Sequence, residues 1–145
     1  MRDLANRHSE NITAHHLLAT IDACSSGLAL VARLGNDGQK ENLSQFRALA
    51  IIRNDTLNRA RNFLVAGLAD QPALWDNGGI FTAALIAGLE GKADSNGDNI
   101  IQFAELANFV TNEVAQRASM RAVIQKVQST VLDAYGDGKV LFFAE

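Results

Sequence analysis

His15-His16-Leu17-Leu18-Ala19-Thr20-Ile21-Asp22-Ala23-Cys24-Ser25-Ser26-Gly27 is the stretch whose reading decides the fold. It runs apolar from Leu17 to Ile21 and then breaks into a short acidic turn of small residues. An apolar, partly β-branched run closed by Ser-Ser-Gly predicts a buried strand and the turn that follows it. In an open parallel sheet, chemistry gathers just outside the carboxyl ends of the strands. Cys24, the one cysteine of the chain, stands at such an end. Asp22 lies two residues earlier, so strand alternation turns both side chains to the same side. Two readings of Cys24 stand open here: a buried structural thiol, or a nucleophile.

Outward from this strand, the pattern predicts alternating elements. Residues 1–14 are polar and read as a helix or an ordered arm. Asn36-Asp37-Gly38 marks a turn within a surface loop. Ser44 caps a helix running to about Arg53, and Thr56–Arg61 is ambiguous, a second short helix. Asn62–Gly67 reads as a strand ending in glycine. Thr82–Glu90 is a helix with Phe81, Leu85 and Leu89 on one stripe. Phe103–Ala118 is a stronger one, with Phe103, Leu106, Val110 and Val114 at three- and four-residue spacing. Val123–Leu132 is amphipathic or irregular, and Val140–Phe143 is a terminal strand after Gly136-Asp137-Gly138. Strands separated by helices predict an α/β domain with a largely parallel sheet. Three visible strands are few for such a sheet, so part of it is expected to lie outside this chain.

A chain of 145 residues suits a single domain spanning 1–145. Its 48% hydrophobic and 20% charged residues are ordinary for a globular protein. A net charge of −3 speaks against nucleic acid and anionic membranes as partners. One cysteine forbids an intrachain disulfide, the N-terminus lacks the apolar core of a signal peptide, and no apolar run reaches the ~20 residues of a membrane span. These features predict a cytoplasmic protein.

Asp22-Ala23-Cys24-Ser25-Ser26-Gly27 after a hydrophobic strand resembles the nucleophile turn of caspase-like cysteine peptidases, in the bacterial and metacaspase-type branch written D-x-C-H-S-G. Ser25 departs from that pattern where the branch usually has His, which is not the catalytic one. Further motifs of the family follow in order: a strand ending in small residues with Asp70-Gln71, then Gly79-Ile80-Phe81-Thr82 opening a helix. The acidic loop Gly91–Asp98, the helix Glu105-Leu106-Ala107-Asn108-Phe109-Val110, the segment Gln128–Thr130 and the closing strand Val140–Phe143 complete the series. The resemblance covers about residues 12 to 143. It implies a caspase-like, mostly parallel sheet flanked by helices and lacking its N-terminal strands. It also implies a cysteine endopeptidase in which Cys24 is the nucleophile and the Cys24 amide is part of the oxyanion hole. Asp22 and Asp70 would then wall a pocket for Arg or Lys on the acyl side of the cut bond. A bland alternative stands beside each aspartate: a turn-capping side chain at Asp22 and an ordinary loop turn at Asp70.

A cysteine nucleophile needs a base, since a free thiol titrates near ~8.5. In the resembled family that base is a His on the preceding strand, in a Gly-His-Gly-like turn that this chain lacks. The histidines here are His8, His15 and His16. His16 precedes Cys24 by eight residues, over ~25 Å along an extended strand, so neither it nor His15 is expected to be the base. His8 lies on a segment that the pattern does not place, and it stands as a candidate base beside the reading of a solvated surface residue. The chain therefore looks like the C-terminal portion of the domain: a subunit whose His comes from another chain, a truncation, or a non-catalytic remnant. The initial Met favours a separately started chain. A missing sheet edge also predicts association with a partner or a second copy.

Asp94-Ser95-Asn96-Gly97-Asp98-Asn99-Ile100-Ile101-Gln102-Phe103-Ala104-Glu105 fits the twelve-residue EF-hand pattern. Asp94, Asn96 and Asp98 supply oxygen side chains at the first, third and fifth positions. Ile100 offers a backbone carbonyl, Gln102 a direct or water-mediated ligand, and Glu105 the bidentate closure. Such an oxygen-only set selects Ca²⁺. Asn99 stands where Gly is usual, at a position that needs a left-handed backbone. The alternative is a metal-free turn capping the next helix. Asp133–Ala144 mimics a second loop but fails at Tyr135 and Ala144. Three functions follow as expectations: the peptidase, a catalytically silent calcium-binding module on the same scaffold, and an independent EF-hand protein. The last explains only residues 80–118.

Overall fold

The structure is a computed structural model that describes residues 11–23, 52–53, 55–67, 74–75, 78–132, 136 and 138–144. Its strands are β1 (His16–Ile21), β2 (Ala60–Val65), β3 (Ile100–Gln102), β4 (Gln128–Val131) and β5 (Leu141–Phe143). Its main helices are α1 (Ile80–Ala87), continued by a π-helical turn at Gly88–Lys92, and α2 (Phe103–Ser119).

β2 is the centre of a three-stranded sheet of order β1-β2-β4. β1 pairs with it in parallel, His16 opposite Ala60 through Ile21 opposite Val65. β4 pairs with its other edge antiparallel, Asn62 opposite Val131. The sheet is thus mixed, where the sequence pattern predicts a largely parallel one. All six residues of β2 are buried. Period-two alternation sends Leu64 to one face and Arg61, Phe63 and Val65 to the other, so both faces are covered.

The core lies on the Leu64 face. Leu64, Ala66, Phe81, Ala84, Ile101, Phe103, Leu106, Val110 and Val114 pack into one cluster with Ala93 and Ala107. α2 supplies its stripe at three- and four-residue spacing, as the pattern predicts. α1 lies against α2 closely enough that a Cβ at Gly88 would come within 2.8 Å of Leu106 Cδ1 and 3.1 Å of Phe109 Cδ1. Gly91, at φ 108°, then ends the helical run in the left-handed region that glycine tolerates.

Three boundaries differ from the pattern. Arg61 belongs to β2, not to a second helix; helical residues near it stop at Leu57. Its guanidinium is fully buried and donates to four carbonyls: Nη1 to His15 (3.0 Å) and Ala60 (3.0 Å), Nη2 to Ile12 (3.0 Å) and Ala14 (2.8 Å). A long cation reads as solvent-facing, but these bonds replace water. Val123–Leu132 contains β4. The terminal strand does not join the main sheet. β5 pairs antiparallel with β3, Ile101 opposite Phe142, in a separate two-stranded ribbon. The predicted helix from Ser44 lies mostly outside the described residues. Among the described residues, no helix is long and apolar enough to cross a membrane.

Candidate functional site

β1 and β2 run in parallel, so their carboxyl ends share one end of the sheet. There Ala66 N donates to Ile21 O at 2.9 Å, and the chain leaves β1 through Asp22. Asp22 is exposed, and its Oδ2 accepts a hydrogen bond from Thr82 Oγ1 at 2.5 Å. Thr82 is the third residue of α1, and Gly79 caps that helix in an extended conformation (φ −63°, ψ 127°). A Cβ at Gly79 would collide with the Asp22 carboxylate. Each position of Gly79-Ile80-Phe81-Thr82 therefore has a physical reason. Gly79 leaves space for the carboxylate, Ile80 and Phe81 enter the core, and Thr82 holds Asp22.

Gln125 secures the same end from within. It is 2% exposed; its Oε1 accepts from Leu74 N at 2.9 Å and its Nε2 donates to Ala66 O at 2.7 Å. One buried amide thus ties the exit of β2 to the segment leading into α1. Beside it stands Trp75, 79% exposed, whose backbone bridges Gly79 in antiparallel sense. Pattern reading singled out neither Gln125 nor Trp75. Gln125 carries no local signal, because its partners are distant in sequence. Trp75 carries one: it is the chain's one tryptophan, in a loop.

Cys24 and Asp70 lie outside the described residues, as does His8. His15 and His16 are at the opposite end from Asp22. His16 opens β1, and its ring Nε2 is 3.0 Å from Asn58 O. Six residue steps at ~3.3 Å separate it from Asp22, about 20 Å. Among the described residues, no imidazole stands at the Asp22 end.

The acidic loop folds as a series of side-chain-to-backbone turns. Asp94 Oδ1 accepts from Gly97 N (2.8 Å) and its Oδ2 from Asn99 N (2.9 Å). Asn96 Oδ1 accepts from Asp98 N, and Asp98 Oδ1 from Ile100 N, both at 2.8 Å. Asn99 adopts φ 61°, the left-handed conformation expected at this place. Ile101 is fully buried within β3, and β5 pairs alongside it where an EF-hand pair would present a second loop. Glu105 is held by the loop itself. Its Oε1 accepts from Ser95 Oγ (2.7 Å) and Ser95 N (3.3 Å), and its Oε2 from Gln102 N (3.0 Å) at the start of α2. Asp94, Asn96, Asp98 and the Ile100 carbonyl follow one another along this loop. Among the described residues, however, no three His, Cys, Asp or Glu side chains gather into a metal-holding group. Glu105 would have to turn away from Ser95 to close a coordination sphere.

Asp22 and this loop occupy opposite ends of one helical run. Ile80 to Ala87 spans seven residue steps of α-helix, about 10 Å at 1.5 Å each, before the π-helical turn and the kink at Gly91. A cation in the loop would therefore act on the Asp22 end through packing, not by contact.

No family model, no curated protein and no solved structure matches the chain.

Proposed function

We propose that the chain is the C-terminal portion of a caspase-like cysteine endopeptidase that cuts after basic residues, with Cys24 as nucleophile. The observation that carries this reading is the Thr82–Asp22 hydrogen bond, with Gly79 cleared for the carboxylate. It joins the Asp-Ala-Cys turn to the Gly-Ile-Phe-Thr helix start, two motifs that are 60 residues apart in the chain. Asp22 and the helix start at Gly79 lie at the carboxyl end of a parallel strand pair, where α/β enzymes keep their chemistry.

The Cys24 thiolate would attack the peptide carbonyl carbon, and the Cys24 amide would stabilise the oxyanion. The leaving amine takes a proton from an imidazolium, and water then hydrolyses the thioester. Asp22, and Asp70 with it, would face the basic side chain. The imidazole comes from His8 or from a second chain, which makes a partner subunit or a homodimer part of the proposal. Its place of action would be the cytoplasm, and its substrates peptides or proteins.

A second reading is favoured by the loop. The left-handed Asn99 and the run Asp94, Asn96, Asp98 suit a Ca²⁺-binding module without catalysis. Hydrolysis of fluorogenic peptides ending in Arg, Lys or Asp separates the two, run with Ca²⁺ and with chelator against Cys24→Ala. Turnover after Arg or Lys that is lost in Cys24→Ala is the expected result. Absence of turnover in folded protein, alone and with the candidate partner subunit, would leave the silent module standing.

A further inference from the structure

We infer that Trp75 and Asp22 together form a seat for a guanidinium group, and that Trp75 sets a preference for Arg over Lys. This rests on the peptidase reading for its biological use, but not for its geometry. Ile80 N donates to Leu74 O at 3.2 Å, flanking the Trp75–Gly79 bridge. That bond makes Trp75 and Gly79 a non-hydrogen-bonded antiparallel pair, the kind whose side chains stand closest, with Cα atoms about 4.5 Å apart on one face. Gly79 has no side chain, and the Asp22 carboxylate fills the space one would occupy. Asp22 is therefore the effective cross-strand neighbour of the indole.

Both groups face solvent. Trp75 is 79% exposed, an unusual state for a large aromatic residue in a folded chain. Asp22 is exposed as well; Thr82 holds its Oδ2, and Oδ1 has no partner among the described residues. The carboxylate is thus oriented while retaining acceptor capacity. A π-face beside a fixed carboxylate favours a planar cation, which stacks on the ring while donating to the carboxylate. Guanidinium does both at once. An ammonium, a compact and strongly hydrated point charge, uses the pair less well. A neutral urea of the same shape stacks but forms no ion pair.

Because Trp75 is the one tryptophan, its fluorescence reports the site directly. The probe is acetyl-arginine methylamide, titrated into the full chain carrying Cys24→Ala so that no hydrolysis intervenes. Saturable quenching is expected, with affinity falling about tenfold for the lysine analogue, for the citrulline analogue and for Asp22→Asn. In Trp75→Leu, calorimetry is expected to show binding at least about tenfold weaker. Trp75→Phe should recover part of it. Equal quenching by arginine and citrulline analogues, or no quenching with protein shown folded, overturns the seat. The peptidase reading is judged separately, by turnover and its loss in Cys24→Ala. Arg-directed turnover with a KM unchanged by Trp75→Leu overturns this inference alone.

Discussion

Gln125 offers the sharpest test of how the Asp22 end is held. Replacing it with Leu keeps the volume roughly constant and removes both hydrogen bonds, leaving Ala66 O and Leu74 N without their partner. Ala66 is fully buried, so its carbonyl bears the full penalty of an unpaired polar group, about 1–3 kcal/mol. Leu74 is half-buried and recovers part of its loss from water. The sum is a destabilisation of about 2–4 kcal/mol. For a chain of 145 residues, that lowers the thermal midpoint by roughly 5–15 °C.

Gln125→Glu separates hydrogen bonding from shape. An ionised carboxylate still accepts from Leu74 N but can only repel Ala66 O. Protonated, it donates to that carbonyl as the amide does. Burial and the facing carbonyl both raise its folded-state pKa above the unfolded value of about 4.3. The folded variant then holds more protons than the unfolded one between those two values. Its stability relative to the native chain is therefore retained at low pH and falls as pH rises, by about 1.4 kcal/mol per unit, until the folded pKa is passed. Urea unfolding followed by circular dichroism, from about pH 4.5 to about pH 8, measures this slope. A deficit that is equal at all pH values would refute the role assigned to the Nε2–Ala66 bond. Gln125→Leu within about 0.5 kcal/mol of the native chain would refute the keystone altogether.

Three further outcomes are expected. Arg61→Met abandons four carbonyls and should cost about 2–4 kcal/mol in urea unfolding, with faster proteolysis ahead of His15. Leu106→Ala opens a cavity at a fully buried position where α2 meets Gly88 of the π-helical turn. About 2–5 kcal/mol is expected there, read from the denaturant midpoint at unchanged slope. Asn99→Ala places a β-carbon in a left-handed residue and should cost about 1–2 kcal/mol, whereas Asn99→Gly should stay near neutral; thermal melts in chelator compare them.

What was legible in the sequence divides by the range of the forces involved. α2 could be read because Phe103, Leu106, Val110 and Val114 repeat at the helical period and all four reach the core. β1 could be read because its apolar run and its turn are adjacent. β4 could not, since Gln128-Ser129-Thr130-Val131 is short and polar, and its pairing with β2 is a tertiary event. β5 was visible as a strand but not assignable to a sheet, because register with Ile101 is written nowhere in its own residues. Arg61 inverted its usual meaning once carbonyls replaced water around it. In the site, Asp22 was marked by its turn. Its partner Thr82 was marked only as part of a motif, and the bond between them spans 60 residues.

The layout also constrains how the acidic loop and the Asp-Ala-Cys turn can influence one another. α1 begins beside Asp22 and leads towards the loop, and α2 follows the loop in the chain. The chain after α2 delivers Gln125 to the β2 exit. Both helices therefore connect the two ends, and they meet at Gly88 and Leu106, where there is no spare volume. Ordering of the loop would reach Asp22 along two routes: through α1 to Thr82, and through α2 to Gln125 and the Leu74–Gly79 segment. Among the described residues, the loop shares no hydrogen bond with Asp22, whose partner is Thr82. It can still set how firmly Thr82 and Gln125 are held. A cation effect carried this way should shrink in Gly88→Ala, which disturbs the shared contact, while Asp22 and its partners stay chemically intact.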